Sequence, residues 1–141
     1  MDLAYAITPF LTWLLTGCTK FLVNCIRDRR FAFDLIGYGG MPSNHSAIVS
    51  STTALIGIRE GYHHPAFGVA LTLAFIVMMD AVSLRRELGK HAVRLNLMES
   101  DVELPRLRER QGHSPSEILA GAALGSLIAW LVSIVLSPNG F

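Results

Sequence analysis

Charge is scarce in this chain. Of its 141 residues, 16% are Asp, Glu, Lys or Arg, where a soluble domain carries about a quarter. The shortage excludes a water-facing surface along much of the chain, because the charge is missing in blocks. Leu3 to Thr19, Ser46 to Ile58 and Pro65 to Met79 hold none, and Ile118 to Pro138 runs 21 residues without an ionisable side chain. Cysteine is as sparse. Cys18 and Cys25 stand seven apart, too far to bridge along one helix and without the paired spacing of a zinc site, so they read as packing residues. No pair of histidines has metal-ligand spacing with a carboxylate, which leaves no pattern for a structural metal. There is no internal repeat and no low-complexity segment.

What fills the space is hydrophobic: 51% of the residues, with a mean hydropathy of +0.42. A membrane-spanning helix needs about 20 mostly apolar residues, and about 17 at the short end. The first and last blocks meet that alone, and Pro65 to Leu84 meets it if Asp80 is accommodated. Ser46 to Ile58 is short and spans only with help from its flanks. The expected fold is all-α: one domain, 1–141, with about four transmembrane helices and an amphipathic surface helix. A soluble bundle of buried helices is the blander alternative. The first block lacks a basic leading region and reads as a span, not a signal peptide.

Of the twelve Lys and Arg, four lie in Lys20–Arg30 and seven in Arg85–Arg110, while only Arg59 lies between the second and third spans. Positive residues accumulate in cytoplasmic loops. Loops one and three are therefore expected inside, with both termini away from the cytoplasm.

Chemistry gathers at the same loops. Pro42-Ser43-Asn44-His45 leads into an apolar helix, and His113-Ser-Pro-Ser-Glu117 leads into another. Helix starts attract anions, since their first N–H groups lack partners and the dipole is positive there. Ser43 and Asn44 are natural N-caps, and the glycines of Asp34 to Gly40 suit a tight loop. Lys20 and Arg27 are seven apart, so on a continuous helix they share a face. Cations that merely snorkel to the headgroups are the plainer account of that pair. Asp80 is an ionisable residue near the end of a span and needs a partner. Arg85, five residues on, is poorly placed along the helix, so Lys20 or Arg27 across the bundle is expected to pair with it. Leu88, His91, Leu95 and Met98 fall at helical spacing within Glu87 to Arg110, which predicts an amphipathic surface helix. His91 reads as interfacial, and His63 and His64 as solvated. His113 and Glu117, four apart, would face each other on a helix. Ser114-Pro115-Ser116-Glu117 equally reads as a capping box in which Glu117 turns back to the backbone. From spacing alone both readings stand.

Together these segments resemble the type 2 phosphatidic acid phosphatase superfamily, which includes vanadium haloperoxidases. Its motifs are Lys-x6-Arg-Pro, Pro-Ser-Gly-His and Ser-Arg-x5-His-x3-Asp. Here Lys20-x6-Arg27 is followed by Asp28, Pro42-Ser-Asn-His45 has Asn for Gly, and His113-x3-Glu117 has Glu for Asp. Leu107 stands where the third motif's arginine would be, and Ser83-Leu84-Arg85-Arg86 upstream is the candidate replacement. The pattern resembles the divergent, compact branch of that superfamily.

The resemblance implies a metal-independent lipid phosphatase that needs no cofactor and works through a phosphohistidine. His113 would attack phosphorus, Glu117 would hold its ring, and His45 would serve the leaving oxygen and then water. Lys20, Arg27, Arg85 or Arg86, with N–H groups near Ser43 and Asn44, would compensate phosphate charge, and Asp80 would support the site. A phosphatidylglycerophosphate-like substrate is favoured by the cytoplasmic placement, with an isoprenyl phosphate or diphosphate next. A non-catalytic protein binding anionic lipid headgroups is the rival from another class, and a small transporter a third. The expected location is a bacterial inner (cytoplasmic) membrane. The expected partners are the lipid phosphate and membrane lipids, with a homo-oligomer left open and no nucleic acid.

Overall fold

The structure is a computed structural model, and it describes residues 3–31, 40–98, 105–109 and 111–136. Asp34, Gly37 and Gly39 of the glycine loop, and Arg110, lie outside the described residues.

The chain is all-helical, with no strand among the described residues. Helix α1 is Leu3–Asp28, α2 Asn44–Arg59, α3 Pro65–Val82, α4 Leu84–Met98 and α5 Pro115–Val135. The starts follow local chemistry. Ser43 caps α2, and Ser114 caps α5 with Pro115 in the first turn. His64 caps α3, its Nδ1 accepting from Ala66 N–H at 3.2 Å. His64 is thus an exposed cap as well as a solvated side chain.

Three stretches are long and apolar enough to cross a membrane: α1, α3 continuing into α4, and α5. Helix α2 has 16 residues, about 24 Å at 1.5 Å per residue, less than the roughly 30 Å hydrocarbon core. It lies against α1, α3 and α5, most extensively against α5.

The packing is inverted relative to a water-soluble bundle. Large apolar side chains such as Phe10, Trp13, Val69, Phe75, Leu119 and Val135 point outward and are more than half exposed. The interior is built from Ala4, Thr8, Thr12, Thr16, Ala47, Ser51, Leu55 and Ala129. Small residues let helix backbones approach closely where lipid, not water, is the solvent. A soluble bundle would leave that outer surface as one very large apolar patch. Cys18 is on the exposed side too, and Cys25 is half-buried.

The α2–α5 seam is the tightest. A methyl group on Gly121 would run into the Ser43 carbonyl, and one on Gly125 into that of Ala47. With Ala129, these residues form a four-spaced small face on α5.

The expected amphipathic helix is α4, Leu84–Met98, which carries Leu88, His91, Leu95 and Met98. Residues 105–109 run back along α4, where the Asn96 amide takes both backbone groups of Leu107: Oδ1 accepts its N–H and Nδ2 donates to its carbonyl, each at 2.9 Å. The expected third span holds, with a break at Ser83 between α3 and α4 inside it. His113 N–H donates to Ala81 O at 3.0 Å, the carbonyl that an unbroken helix would offer to Arg85.

Candidate active site

Alternating direction brings the C-terminal half of α1, the start of α2, the α3–α4 junction and the start of α5 to one end of the bundle. The other end holds Tyr5, Arg59, Glu60 and Leu136.

At the site end, both readings of Glu117 are realised on one oxygen. Its Oε2 accepts from Ser114 N–H at 3.0 Å, closing the capping box, and lies 3.0 Å from His113 Nδ1. The geometry works because His113 immediately precedes the N-cap, so its ring and the capping N–H approach the same carboxylate. With that carboxylate ionised, Nδ1 carries the hydrogen and Nε2 keeps a lone pair. His113 is buried, at 8% exposure.

The two histidine-bearing turns are tied through backbone. Ser43 N–H donates to Glu117 O at 3.0 Å, and the Ser43 hydroxyl accepts from Ser46 Oγ at 3.0 Å. Ser43 is completely buried. Its N–H ties the start of α2 to α5, and its hydroxyl caps α2 through Ser46. Asn44 is half-buried beside it, and its Oδ1 has no hydrogen-bond partner among the described residues.

His45 stands at the rim, in the first turn of α2 and ahead of its uncharged stretch. Its pKa is pushed down, first by partial burial and then by the nearby Arg85, His113 and Lys20, with Asp80 opposing. Those groups therefore converge on one region. Lys20 reaches it from α1, where its Cε would touch a methyl placed on Gly40 at 3.6 Å. Arg27 lies in the last turn of α1, exposed, on the same helix as Lys20.

Arg85 Nε pairs with Asp80 Oδ2 at 2.7 Å, which replaces the expected cross-bundle partner Lys20 or Arg27. The interruption at Ser83 breaks the regular helical phase that would have separated the two. Arg86 instead lines an open cleft of about 200 Å³ with Gly40, Gln111, Gly112, His113 and Glu117. The two arginines thus divide: Arg85 near His45, Arg86 beside His113.

Several of these residues were not evident from sequence. Gln111 and Gly112 carry no motif. Gly112 takes a φ of 82°, and a methyl there would strike Arg86 and the Ala81 carbonyl, so glycine is required by both conformation and space. Gly121 and Gly125 did carry a signal, the four-residue spacing of small residues in an apolar helix.

The arrangement supplies a buried imidazole held by a carboxylate, a second imidazole at the rim, and four cations at one membrane end. Phosphoryl transfer asks for this combination of positioning and charge compensation. No solved structure matches the chain. It is similar to the uncharacterized membrane protein YuiD of Bacillus subtilis (strain 168), at 27% identity over 132 residues, covering 81% of this chain and 84% of that protein. The model of the Divergent PAP2 family matches residues 2–128, and the chain belongs to that family.

Proposed function

We propose that this protein is a lipid phosphatase of the membrane surface, acting through a phosphohistidine on His113. The observation that carries the reading is the shared Glu117 oxygen, which presents His113 with Nδ1 engaged and Nε2 available. The Nε2 lone pair attacks phosphorus, and the bond to the lipid oxygen breaks. His45, as imidazolium, gives that oxygen its proton. Water then attacks phosphorus, His45 takes a proton from the water, and the P–N bond breaks to release inorganic phosphate. Arg86, lining the cleft, Arg85, held by Asp80, and Lys20 compensate charge on the phosphoryl oxygens. Arg27 and the Asn44 amide are outer contributors. Glu117 orients the ring and stabilises its positive form, and Ser43 holds the two turns in register.

The proposed site lies on the cytoplasmic side, because its loops carry eleven of the twelve basic residues. A phosphate monoester lipid of the inner leaflet, phosphatidylglycerophosphate above all, is the favoured substrate, and an isoprenyl phosphate or diphosphate is next.

The test is phosphate release by the purified protein in mixed micelles with chelator. Phosphatidylglycerophosphate, phosphatidic acid and undecaprenyl diphosphate are compared, with His113→Ala alongside. Turnover of one lipid, abolished in the variant, is expected. Lipid binding without release by the folded wild type would replace this reading with headgroup binding.

A further inference from the structure

The outward side of α4 has a use that the site does not absorb. Leu84, Leu88, Leu95 and Met98, with the exposed His91 among them, share one face, and the four apolar side chains are between 46% and 80% exposed. Beside this stripe stand two exposed cations that the site does not use, Lys90 and Arg94, four residues apart. Glu87 is the one acidic residue of the helix, and it pairs with Lys90. The other flank is packed. Gly89 faces the Glu109 carbonyl and Asn96 holds Leu107.

We propose that this face docks on the surface of an anionic lipid bilayer, and that docking sets the position of the site. Charge selects the occupant. Lys90 and Arg94, against the single carboxylate of Glu87, leave this face net positive and complement anionic headgroups, while the stripe suits the boundary between headgroups and acyl chains. The stripe also follows directly on the exposed Ile76 and Met79 of α3, continuing the lipid-facing surface. A second copy meeting this face about a two-fold axis would set the same basic pair near itself. The link to the site is covalent and hydrogen-bonded. Arg85 and Arg86 belong to the first turn of α4, Asn96 of α4 holds Leu107, and His113 N–H is bonded to Ala81 O just ahead of α4. Seating α4 therefore seats two cations and the nucleophile together, so anionic lipid should raise turnover. That last consequence rests on the phosphatase reading; docking itself does not.

The experiment places an environment-sensitive fluorophore on Leu95→Cys in the full chain with Cys18→Ser and Cys25→Ser. The protein is reconstituted in nanodiscs of phosphatidylcholine alone or with phosphatidylglycerol. Blue-shifted emission, quenched by a shallow spin-labelled lipid and strongest with phosphatidylglycerol, is expected, and salt should weaken it. Lys90→Gln with Arg94→Gln should lower the inserted-to-free ratio by roughly fivefold per residue, from about 1 kcal/mol per cation near an anionic surface. Water-like emission in both lipids overturns the proposal. So does burial that follows protein concentration and ignores lipid, which would assign the face to a second copy. The salt titration needs no change to the cation pair, so a poorly folding variant leaves the test intact. Fluorescence requires no turnover, so docking in a protein that releases no phosphate would count against the phosphatase reading alone.

Discussion

The Oε2 of Glu117 serves a helix cap and an imidazole at once, so substitutions there separate structural from chemical roles. Glu117→Gln keeps an acceptor for Ser114 N–H but removes the charge that stabilises a positive His113. The expected outcome is a loss of turnover of about a hundredfold or more, with thermal stability lowered by no more than about 1 kcal/mol. Equal losses in both would make Glu117 a cap alone. His45 gives a pH prediction. Partial burial and the neighbouring cations lower its pKa below the usual histidine value, so the free protein loses its imidazolium as pH rises through that lowered value. If His45 protonates the leaving oxygen, kcat/KM for a lipid phosphate falls over that acidic range. A substrate with a good leaving group, which needs no proton, should show no such limb, and His45→Ala should spare the phosphorylation of His113 by it. A pH profile shared by both substrates would take the acid role from His45.

At the scale of elements, the register of α2 on α5 decides whether the two histidines meet. Gly121 and Gly125 leave no room for a methyl against the Ser43 and Ala47 carbonyls. Gly125→Ala should therefore force the helices apart, costing about 1–3 kcal/mol as overpacking does, and turnover should fall with it. Gly68→Ala is the control, since a methyl there meets nothing within 4 Å. Thermal unfolding in micelles reads both, and equal midpoints would show that α2 and α5 pack more loosely than described. The site is assembled from helix starts because a helix start supplies an N-cap, free N–H groups and a positive dipole in one turn.

Across the whole molecule, the two ends of the bundle differ in kind. The site end concentrates cations, whereas the opposite end is a clasp. Tyr5 donates to Glu60, the Arg59 guanidinium sits 5.8 Å from the Tyr5 ring centre, and Arg59 Nη2 reaches Leu136 O at 2.9 Å. That clasp joins α1, α2 and the end of α5. Arg59→Ala should lower thermal stability by about 1–2 kcal/mol, from a charged hydrogen bond and a cation–π contact, and leave KM unchanged. A changed KM would mean that the clasp communicates with the far end. Sidedness is also testable. A cysteine at His63 should react with an impermeant thiol reagent from outside intact cells, and one at Lys90 only after permeabilisation. The reverse pattern would invert the orientation and exclude a cytoplasmic substrate.

Length, uncharged blocks and charge asymmetry determined the class of this protein, because a bilayer imposes its thickness on any chain that crosses it. The caps at Ser43 and Ser114, and the histidines beside them, were also legible, since capping is local chemistry within one turn. Spacing left open whether Glu117 caps the helix or orients His113, and the three-dimensional turn allows both. It assigned Asp80 a cross-bundle partner, whereas the break at Ser83 delivers Arg85. It placed the amphipathic helix of α4 but was silent on Asn96 capturing Leu107. Nor did it foresee the buried tether from Ser43 to Glu117 or the division between Arg85 and Arg86. Each of these depends on contacts between segments distant in sequence. Periodicity reports which face a residue occupies and is silent on what that face meets; tertiary packing alone decides that.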